Sequence, residues 1–438
     1  MTNIAVVVLD TLRKDAFDKH FEWLPGKRFE NAWSTSHWTV PAHGSLFTGK
    51  YASEAGVYRH AEMLNCDDSV LAERLRNTGY TTRAFSGNPN ISRQFEFHRG
   101  FSQFEGSWRL QAIDRNLFDW DKFIAKTERM GPQRFPLALW KCISGDCSTV
   151  PSLRRGVILK LRDMGYGSKS VDDGAREALS FVQATEFGEQ EFLFLNLMEA
   201  HSPYSAPEEY QTVTPPNISG LNATMDEPTD DPDRIRQAYD DEVRYLSNMY
   251  RRIFEELKKE FSVIITLSDH GELLGEHDAW EHMYGIYPEL THVPLCVYKG
   301  ENDTTSSDET VSILDVHRTV LEVAKIDADS RGRDLRKPIE AREVLTEYHG
   351  LSDRHYYALK NNGYEDIDYL KTELRGFAKD GYYGHQTFDG FEEHGSGVEG
   401  DPRDRLKDLI TQLAVIETRD DVDLSDSVKQ QLEDLGYA

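Results

Sequence analysis

The chain has 438 residues, with 76 Asp plus Glu against 50 Lys plus Arg and a formal charge of −26. That length exceeds one ordinary core, so a large α/β domain with an appendage, or two domains, is expected. The acidity repels polyanions and excludes long nucleic acids as partners; it suits a protein solvated in high salt as well as an ordinary acidic one.

The opening "MTNIAVVVLDTLRKD" has no basic region ahead of its short apolar stretch, and no 18-residue apolar run occurs anywhere. An unexported, cytoplasmic protein with no membrane span is therefore expected. Within it, "IAVVVLD" (Ile4 to Asp10) is a continuous apolar run of the kind buried on both faces of a parallel sheet. "STSHWTVPAHGSLFTGKY" (Ser34 to Tyr51) predicts a short helix with Pro41 in its first turn and Gly49 at its end. "DDSVLAERLRNTGY" reads as a helix stopped by Gly79, and "TTRAFS" as the strand after it.

Residues from about 107 to 170, rich in Trp, Arg and Lys, read as an insertion or cap. The alternation then resumes. Helix "DDGAREALSFVQAT" precedes strand "EFLFLNLME", ending at Glu199, and a Pro- and Gly-rich loop runs from Ala206 to Pro232. The long amphipathic helix "DPDRIRQAYDDEVRYLSNMYRRIFEELKKE" feeds strand "FSVIITLSD", which ends at Asp269. Strand "HVPLCVYKG" and a helix over "ETVSILDVHRTVLEVAKI" follow. Past about Asp327 come short aromatic strands ("GFAKDGYYGHQTF") and a helix ("DPRDRLKDLITQL"). The prediction is a mostly parallel sheet sandwiched by helices over 1–326, with a small α+β subdomain over 327–438. The four cysteines are too few for a disulfide scaffold or a zinc knuckle and are expected to be free thiols.

In an open parallel sheet, ligands bind beyond the carboxyl ends of the strands. Asp10, Glu199 and Asp269 all stand where apolar runs finish, and His270 follows Asp269 directly. Carboxylates and imidazole at one edge are the ingredients of a divalent metal site.

The ordered landmarks "VVVLDTLR", "TVPAHGSLFTG", "LMEAHSPY", "YDDEVRYLSNMY", "SDHGELLGEH", "HVPL" and "ILDVHRTVLEVA" resemble the sulfatase family of the alkaline phosphatase superfamily. The resemblance implies that family's fold and a metal-dependent ester hydrolase. Thr39 occupies the place of the Cys or Ser that sulfatases oxidise to formylglycine, and threonine cannot yield that aldehyde. A metal-activated threonine can instead attack phosphorus, as in the superfamily's phosphodiesterases and phosphotransferases.

The resemblance further implies metal ligation by Asp10, Thr39, Asp269 and His270. Thr11 stands where sulfatases carry a second Asp and His270 where they often carry Asn, a change that favours Mn²⁺ or Zn²⁺, with Mg²⁺ and Ca²⁺ still open. His43 replaces a family arginine and is expected, with Asn88, to bind substrate. His201 and His282 are expected to donate to substrate oxygens or protonate the leaving group. Catalytic residues are thus Thr39, His201 and His282, and the substrate is a small-molecule, saccharide or lipid head-group ester of phosphate or phosphonate. Sulfate-ester hydrolysis is the alternative. A non-catalytic binding module is disfavoured by the full set of metal and nucleophile residues.

Overall fold

The computed structural model describes residues 2–58, 61–107, 174–218 and 230–416, together with 134–144 and scattered positions between. The insertion expected over 107–170 and Cys147 lie mostly or wholly outside the described residues; Cys66, Cys142 and Cys296 are free thiols.

The elements run β1 (Ile4–Leu9), α1 (Lys14–His20), β2 (Gly26–Trp33), α2 (Thr39–Thr48), α3 (Leu71–Asn77), β3 (Thr81–Ser86) and β4 (Gln103–Gly106). After the insertion come α4 (Ala175–Ala184), β5 (Glu191–Leu197), α5 (Pro232–Glu260), β6 (Val263–Leu267), β7 (Leu295–Tyr298), β8 (Thr304–Ser312) and α6 (Ile313–Ala324). The C-terminal part holds β9 (Val344–Tyr348), α7 (Asp353–Asn361), β10 (Leu374–Lys379), β11 (Tyr382–Thr387), β12 (Gly390–His394) and α8 (Pro402–Ile410).

The large sheet has the order β8-β2-β7-β6-β1-β5-β3-β4, and β7 alone runs against its neighbours. The reason for the continuous apolar run of β1 is visible in its packing. Ile4, Val6 and Val8 enter one hydrophobic cluster with α2, α3 and α6 side chains, whereas Ala5, Val7 and Leu9 enter another with α1, α4 and α5. A central strand flanked by helices on both faces has no polar side to spare. The result is the expected mostly parallel sheet sandwiched by helices, completed by an antiparallel sheet of order β9-β10-β11-β12.

Three strands of the large sheet, β2, β4 and β8, escaped the sequence reading, β4 ("QFEG") being only four residues long. β2 ("GKRFENAW") mixes charge with apolar residues, and β8 ("TTSSDETVS") is an exposed edge strand. The helix expected from Glu309 is corrected accordingly: Thr310, Val311 and Ser312 pair with β2, and α6 begins at Ile313. Ser312 sets that boundary through a capping box, its hydroxyl accepting from Leu314 N at 3.4 Å while Asp315 accepts from Ser312 N at 2.9 Å.

The small sheet is fastened to the segment that leads into α2. Glu347 N donates to Thr35 O at 2.9 Å, Thr346 Oγ1 to Ser34 O at 2.7 Å, and Trp33 stacks on Tyr383 at 4.2 Å. α2 itself ends at Gly49 in the left-handed region (φ 72°), where a Cβ would run into the His317 ring and Ser330 Oγ. Among the described residues, no helix is long and apolar enough to cross a membrane.

Candidate active site and metal centre

β1 and β6 are parallel neighbours in register, Val8 beside Leu267, so the residues just past both strands meet at one edge. Asp10, Asp269 and His270 converge there, fully buried, with one ligating atom from each within 4.8 Å of the others.

Each member is oriented by the backbone around it. His270 Nδ1 donates to Gly271 O at 2.9 Å, which turns the Nε2 lone pair toward Thr39 Oγ1, 3.2 Å away. Asp269 accepts through Oδ1 from Thr11 N (3.3 Å) and His270 N (3.0 Å). Thr11 achieves this by adopting φ 62°, rare for a branched residue, and its hydroxyl donates to Asp10 Oδ1 at 3.0 Å. Thr11 thus serves both Asp10 and Asp269 as a donor.

Asp269 Oδ2 is buried with no hydrogen-bond donor, 3.5 Å from His270 Nε2. Burial raises the Asp10 carboxyl, but His270, His201 and His43 and the Asn88 amide outweigh it and hold Asp10 below its usual value. Burial and the Asp10 charge push Asp269 well above its own. Two such carboxylates are mutually repulsive without a cation between them. The orphaned oxygen and the carboxylate–imidazole set fit a divalent ion, and Thr39 faces the same point.

Thr39 is the first residue of α2, and Trp38 takes the N-cap position without a side-chain bond. Capping is therefore not what holds the Thr39 hydroxyl, which meets His270 and the Asn88 amide (3.3 Å) at the pocket floor.

His43 and Asn88, both expected to touch substrate, have no exposed surface. His43 Nδ1 donates to Thr39 O at 2.9 Å, one helical turn back, and Nε2 accepts from Asn196 at 3.1 Å. Burial pulls its imidazole down to about 4. Asn88 spends its amide on Asp10 Oδ2 (2.8 Å) and Thr39, and its oxygen on Asn90 N (2.8 Å). The polar atoms of both residues thus lie against Thr39, Asp10, Asn90 and Asn196 and not on the open pocket. Glu199 also leaves the cluster: its Oε1 accepts from Ala175 N at 2.6 Å, at the start of α4.

Asn196, near the end of β5, was absent from the sequence reading. Its amide donates to Asp10 Oδ2 at 3.2 Å and to His43 Nε2, linking the Asp10 carboxylate to α2. The available signal was a lone polar residue in the apolar run "EFLFLNLME". Asn196→Ala is expected to weaken divalent-metal affinity about 10- to 100-fold with the fold retained, measured by competition with a chromophoric chelator.

His201 and His282 are brought together, their ring centres 5.1 Å apart, and His282 lies 4.5 Å from His270. His282 Nδ1 meets Glu272 Oε1 at 2.8 Å, and Tyr204 OH donates to the other oxygen at 3.0 Å. Glu272 was also missed; buried completely, its carboxyl is pushed up to about 8. Thr39, His201 and His282 open on a pocket whose remaining wall includes Trp38, Leu351 and His355. Among the described residues lining it there is no Lys or Arg.

A family model described as Sulfatase matches residues 19–326. The chain is 22% identical over 356 residues to the uncharacterized sulfatase YidJ of Escherichia coli (strain K12), covering 75% of this chain and 67% of that one. It is 26% identical over 281 residues to the low-salt glycan biosynthesis sulfotransferase Agl7 of Haloferax volcanii, covering 54% and 66%. The chain thus spans about two thirds of the length of these curated relatives. Among solved structures, a phosphonate monoester hydrolase, SpPMH from Silicibacter pomeroyi, superposes with a TM-score of 0.62 at 18% identity, covering 94% of each chain.

Proposed function

The chain belongs to the sulfatase family, an ester-hydrolase family of the alkaline phosphatase superfamily, and we propose that within it this protein cleaves or transfers a phosphate diester or phosphonate ester through an unmodified Thr39. The observation that carries this reading is the Thr39 hydroxyl, aimed at the Asp10–Asp269–His270 cluster from the floor of the pocket. A divalent cation held by Asp10, Asp269 and His270 with Thr39, Mn²⁺ or Zn²⁺ before Mg²⁺ or Ca²⁺, would supply the positive charge that makes a threonine hydroxyl acidic and neutralises the ester oxygens.

The chain's own residues do the rest. Thr39 Oγ, held by the Asn88 amide, gives up its proton to water and attacks phosphorus; the P–O bond to the leaving alcohol breaks, and His201 or His282 gives that alcohol a proton. Water or an acceptor alcohol then attacks the phosphothreonine in line and frees Thr39. Asn88, Asn196, His43 and Thr11 keep nucleophile and carboxylates in place, which matters because positioning supplies much of such catalysis. Among the described residues the lining has no Lys or Arg, which offers little to a dianion and favours singly charged diesters and phosphonate monoesters over phosphate monoesters.

Sulfate-ester chemistry is the second reading, favoured by relatives whose names are sulfatase and sulfotransferase. Against it stands the exit route: a formylglycine hydrate expels sulfate by collapsing to the aldehyde, and a sulfated threonine has no such collapse. Turnover of an aryl phosphodiester, phosphomonoester, phosphonate and sulfate after metal reconstitution separates the two. The diester or the phosphonate is expected to be fastest.

His201→Ala is expected to slow esters of poor leaving groups more than those of good ones, read from kcat/KM across aryl leaving groups of graded acidity. A uniform loss across the series assigns His201 to binding alone.

A further inference from the structure

The small sheet carries a second set of ligating side chains, outside the pocket. β11 and β12 pair antiparallel with His385 opposite Glu392 and Tyr383 opposite His394. Side chains two apart on a strand share a face, so two imidazoles and a carboxylate project together. His385 Nε2 lies 3.9 Å from Glu392 Oε2, and the His385 and His394 rings lie 5.6 Å apart. One ligating atom from each of the three falls within 4.8 Å of the others.

His385 is the informative member. It has no exposed surface, yet neither ring nitrogen has a hydrogen-bond partner. Tyr383 stacks on one face at 5.0 Å and Tyr287 meets it edge-on at 6.0 Å, an environment that would accept a phenylalanine without leaving anything unsatisfied. Buried imidazoles are ordinarily paired through their N–H and lone pair, so this ring lacks a partner that the protein does not supply.

We propose that His385, Glu392 and His394 bind a divalent transition-metal cation of the Zn²⁺ type on the β11–β12 hairpin, with solvent completing the coordination. Two imidazoles and one carboxylate suit Zn²⁺ or Co²⁺; Ca²⁺ and Mg²⁺ would want oxygens throughout. Tetrahedral Zn²⁺ places its ligand atoms about 3.3 Å apart. The exposed Glu392 and His394 side chains close that gap by rotating about the fixed His385, His394 turning its ring out of the stack. Because two of the three ligands must be ordered from solvent, this ion binds more weakly than the one in the pocket. Its effect is to staple β12, the edge strand of the small sheet, to its neighbour.

The protein is dialysed to equilibrium against Zn²⁺ and its metal content counted, beside Glu392→Gln and His394→Ala. Each variant is expected to bind one Zn²⁺ fewer than the unaltered chain. With Co²⁺ in place of Zn²⁺, each is expected to lose the visible absorption of a four-coordinate site, with ester turnover and metal-free melting temperature unchanged. Equal metal counts and spectra in all three proteins would overturn the site. In an Asp269→Asn background, which removes the pocket ion, the hairpin ion is expected to remain; its disappearance there would overturn the independence of the two sites.

Discussion

Thr39→Ala is expected to abolish phosphodiester turnover, by about four orders of magnitude or more, while the chain stays folded. The size follows from the role: a group that forms the covalent intermediate has no substitute, and removing such a nucleophile elsewhere costs about as much as removing its whole catalytic set. The fold should tolerate the change because Thr39 begins α2 without capping it, and what is lost is one buried hydroxyl at the pocket floor. The Asn88 amide keeps Asp10 as a partner. Thr39→Ser preserves the hydroxyl and should return a measurable part of the activity, which a purely structural role for Thr39 would not require. Intact-mass analysis of the unaltered protein should find residue 39 unmodified. If the purified protein instead cleaves aryl sulfate faster than every phosphate ester tested, the assignment of Thr39 as a phosphoryl acceptor fails.

The second large effect is expected at Asp269, and its sign depends on the metal. The metal-loaded protein should hold one tightly bound ion at the pocket, whereas Asp269→Asn should lose that ion and nearly all turnover. Chelation of the unaltered protein should do the same, reversibly on adding Mn²⁺ or Zn²⁺. Stability should move the other way in chelator. With no cation present, Asp269 Oδ2 is a buried oxygen without a donor beside the charge of Asp10, so Asn at this position removes a repulsion and should leave the metal-free protein as stable or more so. In excess metal the order reverses, because an ion that binds only the folded chain stabilises it by about 2.7 kcal/mol at a hundredfold excess over Kd. Melting curves of both proteins, each with metal and with chelator, give four values that must cross. Parallel shifts in the two conditions would mean that Asp269 does not ligate. The weaker hairpin ion is present in both proteins and does not alter the crossing.

Much of this architecture can be read from neighbouring residues alone. The run Ile4 to Leu9 had to be buried on two faces, Gly49 had to end α2, and the acids at positions 10 and 269 had to stand at strand ends, because apolar periodicity and backbone freedom are local properties. From those, the sheet edge with Asp10, Asp269 and His270 followed; the candidacy of Thr39 came from the resemblance to the sulfatase family. The strands β2, β4 and β8 did not, since a short or half-exposed strand carries no apolar run to mark it. Nor did the work of the residues behind the site. His43 and Asn88 have side chains fit for touching an ester, and only their burial against Asn196, Asp10 and Thr39 turns them inward. The pocket wall was equally hidden: Trp38 faces Leu351 and His355, about three hundred residues away along the chain. Local sequence thus determined which groups could do chemistry and where the apolar strands ended. Strand order, register and the docking of the small sheet decided which of those groups meet, because convergence of side chains from distant segments depends on packing that no single segment encodes.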